Sequence, residues 1–566
     1  MVATNSIVSE KTEGASWLNG LLLGLLGALI ISIVILSLVP PVSKDALVHH
    51  LALPKLYLEH GGIYEIPSMI FSYYPMNLDL LYLIPLYFGN DILPKLIHFS
   101  FALLTAWMIF LYLRRRINVT YGLFGVILFL SLPIIIKLSI TVYVDLGVIF
   151  FSFASILLLF KWLESHFRLR FLILSALSCG LAMGTKYNGL ITFFLLTLFV
   201  PYLNSKYTER KKASVFKSVG NGLLFLLIAL LVFSPWMIRN YNWKGNPIYP
   251  LHDKVFNPPK TVFHNPIPPK EVKKVSRGIF TYRSVIYKET WWEIALLPIR
   301  IFFQGRDERA QYFDGKLNPF LLFLPIFAFC MMRNDAPHLK KEKMIMLAFT
   351  ILFFSFAFLS YSLRMRYISP IIPPLVILSV FGVEKIIKIV KNFSNLTARR
   401  IGLIIVGLAL ATSIVLNANY LLGQFKYVDP FNYLQGTFDR DTYISKYRFE
   451  YPAVQYINKH LSPDVLILFI FLGKRGYYCN REYVVSGEFK LGPLVKKADS
   501  PEKILVGLKA LGITHLFIFD PIFKKWITDN FSKDKILILN DFFIKYVKLL
   551  YSQNGFIVLS LLHDSS

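Results

Sequence analysis

Apolar stretches of about 20 residues, the length needed to cross a bilayer as a helix, recur along the first three quarters of the chain. Short polar or charged segments separate them. We count about eleven such stretches, several of them short. They are residues 17–39, 92–113, 121–138, 146–162, 171–183, 190–203, 223–238, 319–332, 344–363, 368–383 and 401–416. The pattern predicts an α-helical polytopic membrane protein.

The pattern changes after Asn419. Apolar runs at 465–472, 513–519 and 556–562 are too short to cross a bilayer, and they alternate with helix-like stretches. Such alternation predicts a small α/β domain. We therefore expect two domains. The first is a transmembrane domain over residues 1–420, with external loops at about 41–91 and 239–318, and the second is an α/β domain over residues 421–566.

Composition agrees with a membrane protein. Of the 566 residues, 55% are hydrophobic and only 17% are charged, whereas a soluble globular protein carries about a quarter charged residues. The formal net charge of +27 would suit a nucleic-acid partner if it covered one soluble surface. Instead, the Lys and Arg residues fall in clusters between apolar stretches, so they indicate topology and no nucleic-acid partner.

The basic clusters orient the chain, because cytoplasmic loops of membrane proteins are enriched in Lys and Arg. A cytoplasmic N-terminus places the clusters at 114–116, 168–170, 210–212, 340–343 and 385–400 inside. The same orientation places Asp45, Asp145, the loop at 239–318 and the chain after about Tyr420 on the extracytoplasmic side. We expect the C-terminal domain to be extracytoplasmic.

The first external loop carries candidate chemistry. Asp45 follows the first apolar stretch directly, and His49 and His50 come four and five residues later. Asp79 adds a second carboxylate at the start of another apolar stretch. Carboxylates and imidazoles can act as a general base or bind a divalent metal ion. The loop therefore suggests that the protein catalyses a reaction and does not only transport a molecule across the membrane.

A short helix along the membrane interface fits the residues that follow Asp45. Residues 45–60 carry leucines at helical spacing, and Gly61 stands where the helix should end. On one continuous α-helix, Asp45 and His49 would share a face because residues four apart are neighbours.

Seven motifs follow one another in a recognisable order. They are Asp45-Ala-Leu-Val-His49-His50-Leu, Tyr74-Pro75 with Asp79, Tyr143-Val-Asp145, Gly184-Thr-Lys186-Tyr187-Asn-Gly189, Pro235-Trp236 with Arg239-Asn240, Gly245-Asn-Pro-Ile-Tyr249-Pro250, and Arg364-Met-Arg366-Tyr367-Ile-Ser-Pro370. Each motif alone is weak, and the order is the stronger signal. In this order the chain resembles the GT-C class of integral-membrane glycosyltransferases, close to the bacterial relatives of aminoarabinose transferase and protein O-mannosyltransferase.

The resemblance implies a GT-C-like fold and a location in the bacterial inner (plasma) membrane. It also implies that the protein transfers a sugar from a polyprenyl-phosphate carrier to a glycan, lipid or protein acceptor, usually with inversion at the sugar carbon. Asp45 is then the candidate base for the acceptor hydroxyl. Many relatives place a second acid directly after the first, whereas this chain has Ala46. Asp79 or Asp145 is left to supply a second carboxylate.

A lipid phosphate leaves in this reaction, and cations should stabilise its growing charge. Candidates for substrate binding are His49, His50, Tyr74, Asp79, Asp145, Lys186, Tyr187, Arg364 and Arg366, of which Lys186 and the two arginines suit phosphate. A divalent metal ion is an open alternative. Its candidate ligands are Asp45, His49, Asp79 and Asp145, although no tight ligand spacing demands a metal.

Other interpretations stay open. The histidines can be interfacial, Asp79 and Asp145 can cap helices, and Lys186 and the arginines can anchor the ends of spans. An oligosaccharide or polymer ligase using a polyprenyl-pyrophosphate carrier is the alternative enzyme. A non-enzymatic transporter of lipid-linked glycans would also be polytopic, although the sequence shows neither clear internal repeats nor charged midplane helices.

Overall fold

Residues 16–208, 215–258, 278–359 and 363–562 are described by the structure, a computed structural model. The basic cluster at 210–212 and the Pro-rich part of the long loop at 259–277 lie outside the described residues. Contacts divide the chain into two units. The larger unit comprises Met1–Ser37, Tyr74–Leu78 and Lys95–Asp429, and the smaller unit comprises Leu38–Tyr73, Asp79–Pro94 and Pro430–Ser566.

The described residues are predominantly helical. In chain order, the helices are α1 Ser16–Ser37, α2 Ala52–His60, α3 Asn77–Tyr87, α4 Leu93–Arg116, α5 Val119–Ser131, α6 Pro133–Ser139, α7 Asp145–Glu164, α8 Leu169–Thr185, α9 Gly189–Tyr207, α10 Val215–Lys244, α11 Asp253–Phe256, α12 Ile279–Tyr287, α13 Trp291–Ala295, α14 Leu297–Arg300, α15 Phe320–Phe327, α16 Pro337–Phe358, α17 Ile372–Lys391, α18 Leu396–Val428, α19 Pro430–Leu434, α20 Arg440–Tyr447, α21 Tyr451–His460, α22 Glu488–Lys497, α23 Pro501–Ala510, α24 Asp520–Asn530 and α25 Lys533–Tyr546. The strands are β1 Leu466–Ile470, β2 Glu482–Val484, β3 His515–Phe519, β4 Val547–Gln553 and β5 Phe556–Leu561.

Seven helical segments in the described part of the chain are long and apolar enough to cross a membrane, and a bent pair makes up to eight. The seven are α1, α4, α7, α9, α10, Ser369–Lys391 (which contains α17) and α18. The multi-pass membrane class is therefore confirmed, but the count of about eleven spans is not. Helix α8 has 17 residues, α15 has eight, and α16 begins with a charged stretch, so these three fall short by length or composition.

The bent pair consists of α5 and α6, whose axes differ by 67°. Pro133 is the first residue of α6, and the preceding Leu132 is extended, with φ −57° and ψ 133°. A proline has no backbone N–H to continue the ladder, and it disfavours the helical conformation of the residue before it. The single apolar stretch at 121–138 therefore becomes two helices.

Small residues let the helices of the larger unit approach closely. A Cβ atom on Gly180 of α8 would come within 2.7 Å of the Ala229 carbonyl oxygen on α10. Between α7 and α8, the hydroxyl groups of Ser155 and Ser175 lie 2.9 Å apart. Close contacts at small and hydroxyl-bearing residues are typical of helix packing inside membranes.

Several members of the predicted basic clusters are paired with carboxylates. Arg116 at the end of α4 binds both Glu164 and Glu342, and Tyr112 donates to Glu342 at 2.6 Å. Lys343 likewise donates to a carboxylate oxygen of Asp335 at 2.7 Å. The clusters thus hold helix ends together in addition to marking topology.

The smaller unit contains the α/β domain that the sequence predicts. Its five strands lie in the order β2-β1-β3-β5-β4; β1 runs parallel to β2 and β3, whereas β5 runs antiparallel to β3 and β4. Leu468, Ile470, Leu516 and Ile518 from the two central strands are fully buried against the helices. Strands buried on both faces read as continuous apolar runs, which explains the runs seen in the sequence.

The smaller unit also includes the first loop. Residues 38–73 and 79–94 cluster by contacts with the C-terminal residues from Pro430 onward. The sequence grouped this loop with the transmembrane residues 1–420. The loop that carries Asp45 and the α/β domain therefore form one folded unit by contacts.

Candidate active site

Asp45 stands at the start of a π-helical turn, Ala46–His50, in the segment that follows α1. Leu51 donates its N–H to the Ala46 carbonyl at 2.9 Å, which closes this wide turn, and α2 begins only at Ala52. One continuous α-helix over 45–60 is therefore a wrong expectation. Gly61 does end α2, with φ 78°. π-Helical turns are found frequently at functional sites, and Asp45 itself is half-buried.

Both histidines after Asp45 pack inward. The His49 ring stacks on Phe71 with centroids 4.1 Å apart, and it also lies against the His50 ring. His50 Nδ1 lies 2.7 Å from Oδ1 of Asp79, and both of these side chains are buried. Asp79 belongs to the first turn of α3. The structure thus brings Asp79 to His50, as one acid and one imidazole in a closed environment.

A second cluster forms in the larger unit around Asp145, the first residue of α7. Lys186 donates to its Oδ1 atom at 2.7 Å, and the charge of Arg366 also acts on this carboxylate. The Asp145 side chain is only 2% exposed. Its other oxygen, Oδ2, is buried and accepts no hydrogen bond from the described residues. An acceptor of this kind is costly to bury, so the cluster is suited to a further donor.

Lys186 is positioned by the tight turn between α8 and α9. A Cβ atom on Gly184 would lie 2.3 Å from the Asn77 amide nitrogen, and one on Gly189 would lie 2.5 Å from the Ala182 backbone. Only glycine allows this approach without displacement. The spacing of the motif therefore has a physical reason, because both glycines let the chain fold back and aim Lys186 at Asp145.

The two candidate arginines, Arg364 and Arg366, have different surroundings. The Arg366 guanidinium lies over the rings of Tyr143 and Tyr367, 5.1 and 5.5 Å from their centroids, and Arg366 is 8% exposed. Arg364 instead lies 3.7 Å from Asp314, with about a third of its side chain exposed. Only Arg366 therefore joins the cluster of Asp145 and Lys186.

Tyr74 and Tyr187 meet each other, with ring centroids 5.3 Å apart. The Tyr187 hydroxyl group donates to the Tyr249 carbonyl at 2.7 Å. Asn240 donates to the same hydroxyl oxygen at 3.1 Å, and Arg239 donates to the Tyr74 carbonyl at 3.1 Å. Arg239 and Asn240 belong to this group of contacts, although the sequence did not predict them as site residues. Their presence in the Arg239-Asn240 motif was the signal that could have found them.

A metal-ligand set is not formed by the candidates. Within residues 16–208, 215–258, 278–359 and 363–562, no three His, Cys, Asp or Glu side chains come together as ligands for an ion. Asp79 is engaged by His50, and Asp145 by Lys186. A divalent metal therefore stays an untested alternative with no assembled set of ligands in this part of the chain.

Known proteins resemble this chain in part of its sequence and in its fold. Residues 88–238 match the family model of dolichyl-phosphate-mannose-protein mannosyltransferase. The apo structure of ArnT from Cupriavidus metallidurans covers 96% of the chain and 98% of its own, at a TM-score of 0.57 and 13% identity. The same protein bound to undecaprenyl phosphate matches at a TM-score of 0.53 and 13% identity, covering 96% and 99% of the two chains.

The archaeal oligosaccharyltransferase AglB from Archaeoglobus fulgidus, in complex with an inhibitory peptide and a dolichol-phosphate, reaches a TM-score of 0.47 at 13% identity. That match covers 96% of this chain and 75% of AglB. A search of curated protein sequences gave no match. The resemblance found in the motifs is thus confirmed at the level of fold: this is a multi-pass membrane protein with the fold of GT-C glycosyltransferases, similar to ArnT along nearly the whole chain.

Proposed function

We propose that this protein is a glycosyltransferase that moves a sugar from a polyprenyl-phosphate carrier to an acceptor on the extracytoplasmic face of the membrane, with inversion and with Asp45 as the base. The observation that carries the proposal is the match along nearly the whole chain to an ArnT structure bound to undecaprenyl phosphate. The family model matched by residues 88–238 is also named for a transferase with a dolichyl-phosphate-sugar donor. Both point to a lipid phosphate as the leaving group.

Asp45 has the features that a base requires in this reaction. An acceptor hydroxyl group loses its proton as it attacks the sugar carbon, so a carboxylate must come within hydrogen-bond reach. Asp45 lies in the segment that follows α1 and is half-buried, at the start of an irregular helical turn. Because Asp45 is only half-buried, an acceptor hydroxyl group can reach its carboxylate.

Lys186 and Arg366 supply the positive charge for the departing phosphate. Lys186 donates to the buried Asp145 carboxylate, on which the charge of Arg366 also acts, and Lys186 lies 5.5 Å from the Tyr367 ring centroid. Asp145 holds the Lys186 ammonium group in place, so the cation costs little to orient when a phosphate arrives. Arg366 can offer two parallel hydrogen bonds to a phosphate. Arg364 is more exposed and is the cation best suited to first contact.

The extracytoplasmic location of the reaction rests on the charge pattern. The clusters at 114–116 and 340–343 lie inside when the N-terminus is cytoplasmic, and Asp45 then lies outside. In this orientation the donor arrives already loaded on its carrier. The reaction therefore needs no soluble nucleotide sugar.

The donor class can be tested with the full-length protein in lipid nanodiscs. We expect transfer of labelled sugar, and release of free carrier monophosphate, from donors with one phosphate between lipid and sugar. Donors with a pyrophosphate linkage should give less than about a hundredth of that rate, because a second phosphate would misplace the sugar carbon. Equal or faster transfer from the pyrophosphate donor would establish the ligase alternative. No transfer from either class, with a range of sugars and acceptors, would contradict the enzyme assignment.

A further inference from the structure

A short segment of the α/β domain, Tyr477 to Asn480, surrounds a lysine of the first loop. The Lys55 ammonium group donates to the carbonyl oxygens of Tyr477 and Cys479 at 3.0 and 2.9 Å, and to the side-chain oxygen of Asn480 at 2.8 Å. An ammonium group has three donors and no acceptor, so all three are used on this one segment. All of these residues belong to the smaller unit.

The same domain also binds the backbone on both sides of Asp45. The Tyr478 hydroxyl group donates to the Pro41 carbonyl at 2.8 Å, and the Arg448 guanidinium donates to the Val42 carbonyl. After Asp45, the Leu47 carbonyl accepts the N–H of Tyr477 at 3.2 Å. Three backbone carbonyl groups between residues 41 and 47 are therefore held by side chains and backbone from the C-terminal part of the chain.

This segment is itself firmly anchored. Asn458 on α21 exchanges hydrogen bonds with it, donating to the Tyr478 carbonyl and accepting the Asn480 N–H, both at 2.8 Å. The Tyr477 hydroxyl group donates to Asp91 at 3.2 Å, and Arg440 also binds Asp91. Burial raises the pKa of the Tyr478 phenol well above its ordinary value, so its hydroxyl group remains a donor at any working pH.

We propose that Lys55, Arg448, Tyr477 and Tyr478 form a clamp by which the α/β domain fixes the position of Asp45, making them positioning residues for the transfer reaction. This proposal rests on the proposed function, in which Asp45 is the base. A π-helical turn is rare compared with an α-helix, and the turn Ala46–His50 is closed by a single wide hydrogen bond from Leu51 to Ala46. The clamp supplies further support through the carbonyls at 41, 42 and 47. It gives the α/β domain a role in turnover.

Hydrogen exchange tests the clamp itself, without any need for activity. In the full-length protein in nanodiscs, Lys55→Met and Tyr478→Phe should each increase amide exchange in peptides covering residues 42–51. Lys55→Arg should restore part of the protection. Tyr456→Phe is the matched control, since Tyr456 lies on α21 and makes ring contacts with His460 and Tyr551 away from this segment. Unchanged exchange at 42–51 in both variants would overturn the clamp.

A double-mutant cycle with Asp45→Asn tests whether the clamp acts through Asp45. Tyr478→Phe should lower kcat about 10- to 100-fold with little change in the donor KM, because misplacing a catalytic group affects the transition state. In the Asp45→Asn background the same change should cost nothing further. Looser exchange with unchanged kcat, or equal losses in both backgrounds, would overturn the positioning role. Normal turnover by Asp45→Asn alone would instead remove the proposed base, and the exchange result would still decide the clamp.

Discussion

The Nδ1 atom of His50 lies 2.7 Å from Oδ1 of Asp79, and the two side chains are only 5% and 6% exposed. This contact ties the turn after Asp45 to the first turn of α3. It also occupies one oxygen of the carboxylate that the sequence offered as a second acid for Asp45. Asp79 therefore has a structural partner, and its role in substrate binding remains a prediction.

We expect Asp79→Leu to destabilise the protein by about 1–3 kcal/mol, because it leaves the buried His50 ring without this partner. Asp79→Asn should cost less, since the amide oxygen can still accept a hydrogen bond from the ring. Thermal unfolding of the purified protein measures both effects. Asp541→Asn is the control, as Asp541 is exposed on α25. Equal midpoints for the Leu variant and the control would show that the contact contributes nothing.

We expect Lys186 both to neutralise the buried Asp145 carboxylate and to bind the phosphate of the donor. Two variants separate these roles. Lys186→Met leaves the Asp145 carboxylate buried without its partner, which should cost about 3–5 kcal/mol of stability. Removing the acid as well, in a Lys186→Met, Asp145→Leu variant, should restore much of that stability. It should not restore donor binding, because the cation for phosphate is still missing. Recovery of a normal donor KM in the double variant would show that Lys186 only balances Asp145.

The ionisation of Glu289 should make the stability of the segment 279–312 depend on pH. Burial alone would raise the pKa of this carboxyl group, but the hydrogen bonds and charges of Arg283 and Arg300 outweigh burial and hold the pKa below its ordinary value. Arg283 is fully buried, and it binds both oxygens of Glu289 at 2.6 and 2.8 Å. The ion pair therefore stabilises the 279–312 segment fully above about pH 4.5, and this contribution is lost as pH falls further, through the lowered pKa.

Hydrogen exchange of peptides from residues 279–303, compared at equal chemical exchange rates, measures this effect. Protection should be constant from about pH 7 to 5 and should fall below about 4.5. The Glu289→Gln variant should show reduced protection throughout and a flatter pH profile. A wild-type segment that stays equally protected at pH 3.5 would contradict the role given to this carboxylate.

Orientation can be tested by labelling single cysteines in a chain whose Cys179, Cys330 and Cys479 are replaced by serine. We expect a membrane-impermeant maleimide to label Asp541→Cys in intact cells. Arg115→Cys, at the end of α4, should react only after the membrane is opened. The reverse pattern would place Asp45 in the cytoplasm and contradict the proposed face of the reaction.

Much of the fold could be predicted because its signals are local. The long apolar stretches predict the long helices. The short apolar runs after Asn419 predict the buried strands of the α/β domain. The number of spans could not be fixed in this way. A proline at 133 divides one stretch, and the charges that begin α16 shorten another. The apolar composition of a stretch does not show whether a proline breaks the helix or whether charged residues shorten its apolar part.

The sequence predicts candidate residues for the site, but it does not predict which of their side chains contact one another. The motif order selected Asp145, Lys186 and Arg366, and the structure brings these three together. The same motif contains Arg364, but its side chain pairs with Asp314, some fifty positions away in the chain. Such long-range contacts depend on how the helices pack, so a local sequence pattern does not predict them.

In the proposed reaction, Asp45 takes the proton of the acceptor hydroxyl group. The most direct test is the rate of sugar transfer by Asp45→Asn in a single turnover with a saturating polyprenyl-phosphate donor, with Asp541→Asn as the matched carboxylate control. Asparagine keeps the size of the side chain but cannot accept a proton, so we predict a loss of about 100- to 10,000-fold, while donor affinity and thermal stability stay near those of the parent. An Asp45→Asn protein that transfers sugar at the rate of the control would contradict this role for Asp45.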